Sequence, residues 1–202
     1  MKKVSRFSIL LLWLLAGSCS DESTSDIPDP TLENKQRTGS SAAHFLQQQT
    51  FSGLVVEISY VKGFRPSQSA INNLIAFINK HCHKPAGVQV IENEIPSPKT
   101  SPYSVSEIVG LEDEVRTQYN TSNTLALHIL VLDGTSNQSS GNRVTLGTAY
   151  RNTSMAIFLN TINNSSGVIS EAERLFLESA VLMHEFGHLL GLVNFGTAMV
   201  TD

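Results

Sequence analysis

Two histidines and one glutamate near the end of the chain have the spacing of a metal site. His184 and His188 are four positions apart, and Glu185 directly follows the first histidine. An α-helix turns once in about 3.6 residues, so residues four apart share a face and both imidazoles can reach one cation. Glu185 is rotated by roughly 100° from His184. It can therefore lie beside a metal ion without binding it, which suits a base for a metal-activated water.

The surrounding residues predict that these three lie on a largely buried helix. Ser170 and Glu173 have the spacing of a capping box at its start, and Gly191 marks its end. The positions between are rich in apolar residues, namely Leu175, Phe176, Val181, Leu182, Phe186, Leu189 and Leu190. Polar side chains inside such a helix cost free energy unless something compensates them, and a metal ion is the simplest compensation. The alternative is a pair of core histidines that are satisfied without a metal.

The segment HEFGHLLGLVN, from His184 to Asn194, resembles the zinc signature of the metzincin metallopeptidases, H-E-x-x-H-x-x-G-x-x-H. In that family the glycine lets the chain turn sharply after the active-site helix, so that the next ligand reaches the metal. The resemblance implies that His184 and His188 bind Zn²⁺ and that Glu185 is the catalytic base. It also implies hydrolysis of a peptide bond, with a peptide or protein as the substrate.

The third ligand position of the signature is occupied by Asn194. A neutral amide oxygen is a poor zinc ligand beside imidazole or carboxylate, so Asn194 itself is the weakest candidate. Three alternatives stay open. The third ligand follows residue 202 in a longer natural protein, which would make this chain a truncated form; it is Asp202; or the site is degenerate and inactive.

The rest of the chain alternates predicted strands and helices. Apolar runs predict strands at 54–61, 88–95, 125–132, 144–150 and 154–160, and helical spacing predicts helices at 66–83, 104–119 and 170–191. We therefore predict an α/β (α+β) fold, with a mixed, mainly parallel twisted sheet, two packing helices and an active-site helix. This order resembles the N-terminal subdomain of metzincins, a zincin-like arrangement.

The resemblance also implies a strand at the edge of the cleft that pairs with extended substrate. Our candidate is the segment SMAIF, in which Ser154, Met155 and Ala156 would bind the substrate. The alternative is that this segment is an interior strand.

The first residues have the layout of a secretory signal rather than of a folded element. A basic start is followed by an apolar run that is too short to span a bilayer. The sequence LAGSC, ending at Cys19, resembles a bacterial lipobox. We therefore predict a signal peptide at 1–18, a lipidated Cys19 with a flexible tether at 19–50, and a metallopeptidase domain at 51–202 that is truncated at its C-terminus. Lipidation would place the protein in the bacterial cell envelope, at the outer membrane or the cell surface.

Charge excludes one class of partner. The chain has 14 basic and 18 acidic residues, and residues 1–18 contain three of the basic ones, so the mature net charge is about −7. An acidic chain without a basic stripe is a poor match for nucleic acid.

We predict a lipid-anchored zinc metalloendopeptidase. The alternative is a non-catalytic surface binding or adhesion lipoprotein that retains a metallopeptidase fold.

Overall fold

A five-stranded sheet forms the centre of the molecule. The computed structural model of the protein describes residues 29–164 and 170–193. In chain order the strands are β1 (Gly53–Val61), β2 (Gly87–Ile95), β3 (Thr124–Leu132), β4 (Gly147–Arg151) and β5 (Ser154–Phe158). Their order across the sheet is β2-β1-β3-β5-β4, and all neighbouring pairs are parallel except β4 and β5. The nearly continuous apolar run of β3 accordingly lies at the centre of the sheet, where both faces are covered.

Helices cover both faces of the sheet. They are α1 (Ala42–Leu46), α2 (Gln68–His81), α3 (Val105–Val115), α4 (Leu159–Asn164) and α5 (Glu171–Leu189), preceded by a 3₁₀ turn at Leu32–Asn34. α2, α5 and the short α1 and α4 contribute to one hydrophobic core, and α3 contributes to a second core on the opposite face. The predicted fold class is thereby confirmed. Among the described helices, none combines the length and apolar content that a membrane span requires.

Side-chain caps fix where the three long helices begin. The Ser67 hydroxyl caps α2 by accepting a backbone hydrogen bond. α3 and α5 each begin with a full capping box, formed by Ser104 with Glu107 and by Ser170 with Glu173. Each box satisfies backbone N–H groups that have no partner within the helix. The start of α5 therefore lies where the sequence predicted it.

The described part of the N-terminal region, residues 29–50, packs into the domain. Our prediction of a flexible tether over residues 19–50 is wrong for this part. The Phe45 side chain is fully buried, and its ring meets that of Phe186 in α5 nearly at right angles, with 5.3 Å between centroids. The polar composition of the segment hid this role, because its few buried side chains are separated by exposed ones.

Asn34 secures the same segment from the opposite side. Its side chain is fully buried, and Nδ2 donates to Asn120 Oδ1 at 2.8 Å and to Thr153 Oγ1 at 3.0 Å. Its Oδ1 accepts from the backbone N–H of Asn120 at 3.0 Å. One amide therefore joins three segments that are distant in sequence, and each of its polar atoms is satisfied.

Lys84 ties the end of the segment to the domain. Its ammonium group donates hydrogen bonds to the main-chain carbonyls of His44, Gln47 and Phe51. Burial lowers the pKa of Lys84, while the three carbonyls use all of the donors that a charged ammonium offers. One side chain thus binds three main-chain carbonyls of residues 44–51.

Replacing Asn34 by Ala tests whether the N-terminal segment is part of the folded domain. We expect the free energy of unfolding to fall by about 2–4 kcal/mol, because buried partners lose their hydrogen bonds. Urea denaturation would measure the change. Asn79→Ala is the matched control, since Asn79 is exposed on α2, and its effect should stay within about 0.5 kcal/mol. Equal stability of the two variants would contradict the assignment.

Candidate metal and catalytic site

The end of α5 is a tight turn built on one glycine. Gly191 has a φ of +85°, in the left-handed region that side chains disfavour. The N–H of Leu192 donates to the carbonyl of Gly187 at 3.0 Å, and the N–H of Gly191 donates to that of His188 at 3.1 Å. This pair of bonds is a Schellman motif, which reverses the chain directly after the helix. The glycine of the sequence motif therefore has a backbone role.

The turn also orients the second histidine. Nδ1 of His188 lies 2.7 Å from the carbonyl oxygen of Leu192. A carbonyl can only accept, so Nδ1 carries the proton and the lone pair of the neutral ring is on Nε2. A backbone carbonyl that fixes the tautomer in this way is typical of metal-binding histidines. The His184 ring lies beside it, with 4.8 Å between ring centroids and an interplanar angle of 86°.

Glu185 points away from solvent toward the sheet. Only 6% of the residue is exposed, and its side chain packs against Gly147 of β4. Burial raises the pKa of Glu185 to about 7, although neighbouring His188 and the Ala149 N–H both act to lower it. A carboxyl group with a pKa near neutrality can both take up and release a proton at physiological pH.

The absence of a side chain at Gly147 leaves space for the Glu185 carboxylate. A Cβ atom at Gly147 would lie 2.6 Å from Cγ and 2.9 Å from Oε1 of Glu185, closer than non-bonded atoms approach. Any other residue at position 147 would therefore push the carboxylate out of its position against β4. The sequence offered no signal for this contact, because Gly147 and Glu185 are 38 positions apart along the chain.

A cleft of about 740 Å³ runs between α5 and β4. His184, Glu185 and His188 all line it, so the structure brings the three predicted residues to one surface. Their roles as zinc ligands and base stay predictions. The opposite wall is formed by residues 143–149, and the end of the cleft is formed by residues 191–193 of the turn after α5.

The cleft-edge strand is β4, and our prediction that Ser154, Met155 and Ala156 bind substrate at the edge is wrong. β5 lies between β3 and β4 in the sheet, and all three of these residues are fully buried. The interior alternative is correct. A usable signal existed, since β5 is almost wholly apolar, as interior strands are, whereas β4 reads GTAYR.

The N-terminal segment forms another part of the cleft wall, which the sequence did not predict. Thr38 and Gly39 line the cleft, and the Thr38 hydroxyl donates to the carbonyl of Ala149 at 3.4 Å. Gly39 has a φ of +83°, and a Cβ there would lie 3.4 Å from Cα of Gly191. Two glycines with left-handed backbones thus pack against each other where the active-site helix ends.

Among the described residues, no third metal-ligating side chain joins the two predicted ligands, His184 and His188. Within residues 29–164 and 170–193, no group of three His, Cys, Asp or Glu side chains is placed to hold a metal ion. Asn194 and Asp202, the candidates near the end of the chain, lie outside the described residues, as does Cys19. The donor set of two adjacent imidazoles fits zinc and needs a further ligand to complete it.

Outside the cleft, the buried His128 of β3 lies near the carboxylate of Glu112. His128 Nε2 is 3.0 Å from Ser59 Oγ, and its Nδ1 is 4.0 Å from Glu112 Oε1. Serine, histidine and glutamate in this order are found in nucleophilic hydrolases, but here all three side chains are fully buried. Burial, followed by the charges of Arg116 and Arg151, lowers the pKa of His128 well below its usual value. His128 is therefore a neutral core residue.

Comparison with known proteins gives a distant structural similarity. No protein-family model matches the sequence, and no curated protein matches it. Among solved structures, the chain is similar to archaemetzincin from Methanopyrus kandleri, with 18% sequence identity and a TM-score of 0.47. The similarity covers 70% of this chain and 75% of the other. A likeness at this level does not assign a family, so the function rests on the site itself.

Changing Gly147 to Ala tests whether the absence of a side chain holds Glu185 in place. The added methyl group should displace the carboxylate toward solvent, so the pKa of Glu185 should fall from about 7 toward its ordinary value. Carboxyl ¹³C NMR titration of the metal-free protein would measure it. Gly110→Ala is the control, because a Cβ there meets nothing within 4 Å. An unchanged pKa in the Gly147 variant would contradict this account.

Proposed function

We propose that the protein is a zinc-dependent metallopeptidase that hydrolyses peptide bonds. The observation that carries the proposal is the position of Glu185. Its buried carboxyl group, with a pKa of about 7, lies in the cleft beside two histidines of the same helix, one of which has its tautomer fixed. Burying an ionisable group costs free energy, and buried groups with a strongly shifted pKa in a cleft are typical of catalytic acids and bases.

His184 and His188 are the residues that would hold the zinc ion. His188 would bind through Nε2, because its Nδ1 is engaged by Leu192. When bound, zinc supplies Lewis-acid chemistry, lowering the pKa of water and polarising a carbonyl group. The third ligand would come from the chain beyond Val193, as the resemblance to the metzincin signature implies.

Glu185 would move the proton. Its carboxylate accepts a proton from the attacking water and then delivers it to the nitrogen of the leaving amine. Gly147 of β4 packs against one side of the Glu185 side chain, and the same residue lines the cleft where the substrate would bind. A pKa near neutrality suits both transfers, since the group must be a base in one step and an acid in the next.

The edge strand β4 gives an extended peptide a place to bind. It pairs with β5 on one side only and lines the cleft on the other. Main-chain pairing along such an edge accepts many sequences, which suits an endopeptidase. β4 thus takes the substrate-binding role that the sequence placed on β5.

Glu185→Gln tests the mechanism. The variant should keep zinc at the wild-type ratio and lose at least about 10²-fold in kcat/KM on a peptide substrate, because the amide cannot take up the proton. Zinc analysis and peptide cleavage assays on the same preparations would measure both. Glu171→Gln is the control, since Glu171 lies in the same helix but is exposed and outside the cleft. Full activity of the Glu185 variant would refute the mechanism.

A second candidate is a surface binding or adhesion lipoprotein that keeps the fold without catalysis. The asparagine at position 194 favours it, because the metzincin signature has a zinc ligand there. Purified wild-type protein without stoichiometric zinc, and without peptidase activity when zinc is added, would favour this candidate over the first.

We also propose that the protein is anchored in the bacterial cell envelope through a lipid on Cys19, after removal of residues 1–18. Nine residues, 20–28, lie between Cys19 and Asp29. Even fully extended, the ten Cα–Cα steps from Cys19 to Asp29 would span about 35 Å, which would keep Asp29 close to the membrane surface.

Cys19→Ser tests the anchor. We expect the wild-type protein to incorporate labelled fatty acid and to sediment with membranes, and the variant to do neither. Cys82→Ser is the control, because Cys82 is buried in the core and cannot be acylated without unfolding. Unchanged labelling in the Cys19 variant would exclude this lipid site.

A further inference from the structure

Apolar side chains are exposed around the rim of the cleft. Among the described residues, six large hydrophobic residues are exposed, and three of them line this cleft: Val144 (55%), Leu192 (64%) and Val193 (48%). Ala180 and Val181 of α5 add apolar surface inside the same cleft. Exposed apolar residues grouped around a concave site indicate apolar contacts with a ligand.

Arg143 is the one permanently charged basic side chain among the described residues that line the cleft. Its guanidinium makes no ion pair within the described part of the chain. By contrast, four other arginines have a carboxylate oxygen within 4.0 Å: Arg65, Arg116, Arg151 and Arg174. An arginine fork that lines a cleft with an apolar rim, and has no ion-pair partner among the described residues, is suited to a carboxylate of the ligand.

The backbone that carries Arg143 is fixed rather than loosely attached. The N–H and carbonyl of Arg143 exchange hydrogen bonds with those of Ser140, at 3.0 and 2.9 Å, and Gly141 between them has a φ of +56°. Next to this tight hairpin, the N–H of Thr145 donates to Ser139 Oγ at 3.1 Å. The hairpin therefore presents Arg143 and the adjacent Val144 together on one wall of the cleft.

We infer that the cleft selects peptides in which a carboxylate lies next to an apolar side chain, with the carboxylate bound by Arg143. The inference rests on the proposed function for its peptide substrate and names the class of peptide. The apolar side chain would contact the rim at Val144, and the carboxylate would receive two parallel N–H bonds from the guanidinium. The carboxylate has two possible sources, a free peptide C-terminus or an internal Asp or Glu.

Peptide binding to the zinc-loaded Glu185→Gln variant, which should not cleave its ligand, separates these sources. The three labelled peptides have the same apolar core and differ in their carboxylates. The first has a free C-terminal carboxylate, the second is amidated and neutral, and the third is amidated and carries an internal Glu. Fluorescence anisotropy should show at least one carboxylate peptide binding about tenfold more tightly than the neutral one. Adding Arg143→Gln should abolish that difference, and Arg143→Lys should restore it in part.

Arg37→Gln is the matched control, because Arg37 is exposed, makes no ion pair within the described residues and does not line the cleft. It should leave all three affinities unchanged. Equal binding of the three peptides, or a preference for carboxylate that survives Arg143→Gln, overturns the inference.

Cleavage assays with the zinc-loaded wild-type chain separate the proposal of peptidase activity from the inference about which peptides the cleft selects. Binding that depends on Arg143 without cleavage would refute the peptidase and keep the inference about the ligand. Cleavage of all three peptides with equal kcat/KM, unchanged by Arg143→Gln, would keep the peptidase and overturn the selectivity.

Discussion

The close contact of the Glu185 side chain with Gly147 joins α5 to β4, the edge strand of the sheet. The backbone N–H of Ala149 in the same strand favours the charged carboxylate and so opposes the effect of burial on its pKa. Gly147 then has to lack a side chain, because its Cα faces the same carboxylate. The position of the Glu185 carboxylate and the absence of a side chain at position 147 both follow from this one contact.

A second constraint acts at the C-terminal end of α5. The Schellman turn at Gly191 brings the Leu192 carbonyl back onto His188, so the backbone that ends the helix also fixes the imidazole. Gly39 packs on the same turn from the N-terminal segment. The candidate ligand is therefore supported by two segments from opposite ends of the chain, and neither of them contributes a metal-binding atom among the described residues.

The five strands and the three long helices could be predicted from the sequence because their signals are local, whereas the short helices α1 and α4 were not predicted. Apolar periodicity and the Ser170–Glu173 capping box placed α5, and the apolar run 125–132 identified the buried central strand. The position of β4 at the edge had only a compositional signal, the contrast between GTAYR and the apolar SMAIF, because the sheet order depends on which of the two strands pairs with β3. The packing of residues 29–50 depends on single side chains such as Asn34 and Phe45, whose partners are more than 80 positions away. Composition averages over such residues and therefore suggested a tether.

The long sequence separation between these residues and their partners affects the order of folding. Asn34 is bonded to residues 86 and 119 positions later, and Phe45 packs on α5, the last helix of the described chain. Closing loops of this length is entropically costly, and contacts of high sequence separation form slowly. During synthesis, residues 29–50 emerge before β5 and α5, yet they cannot be secured until those two elements are in place. The wall of the cleft at Thr38 and Gly39 is thus completed only once nearly the whole domain has assembled.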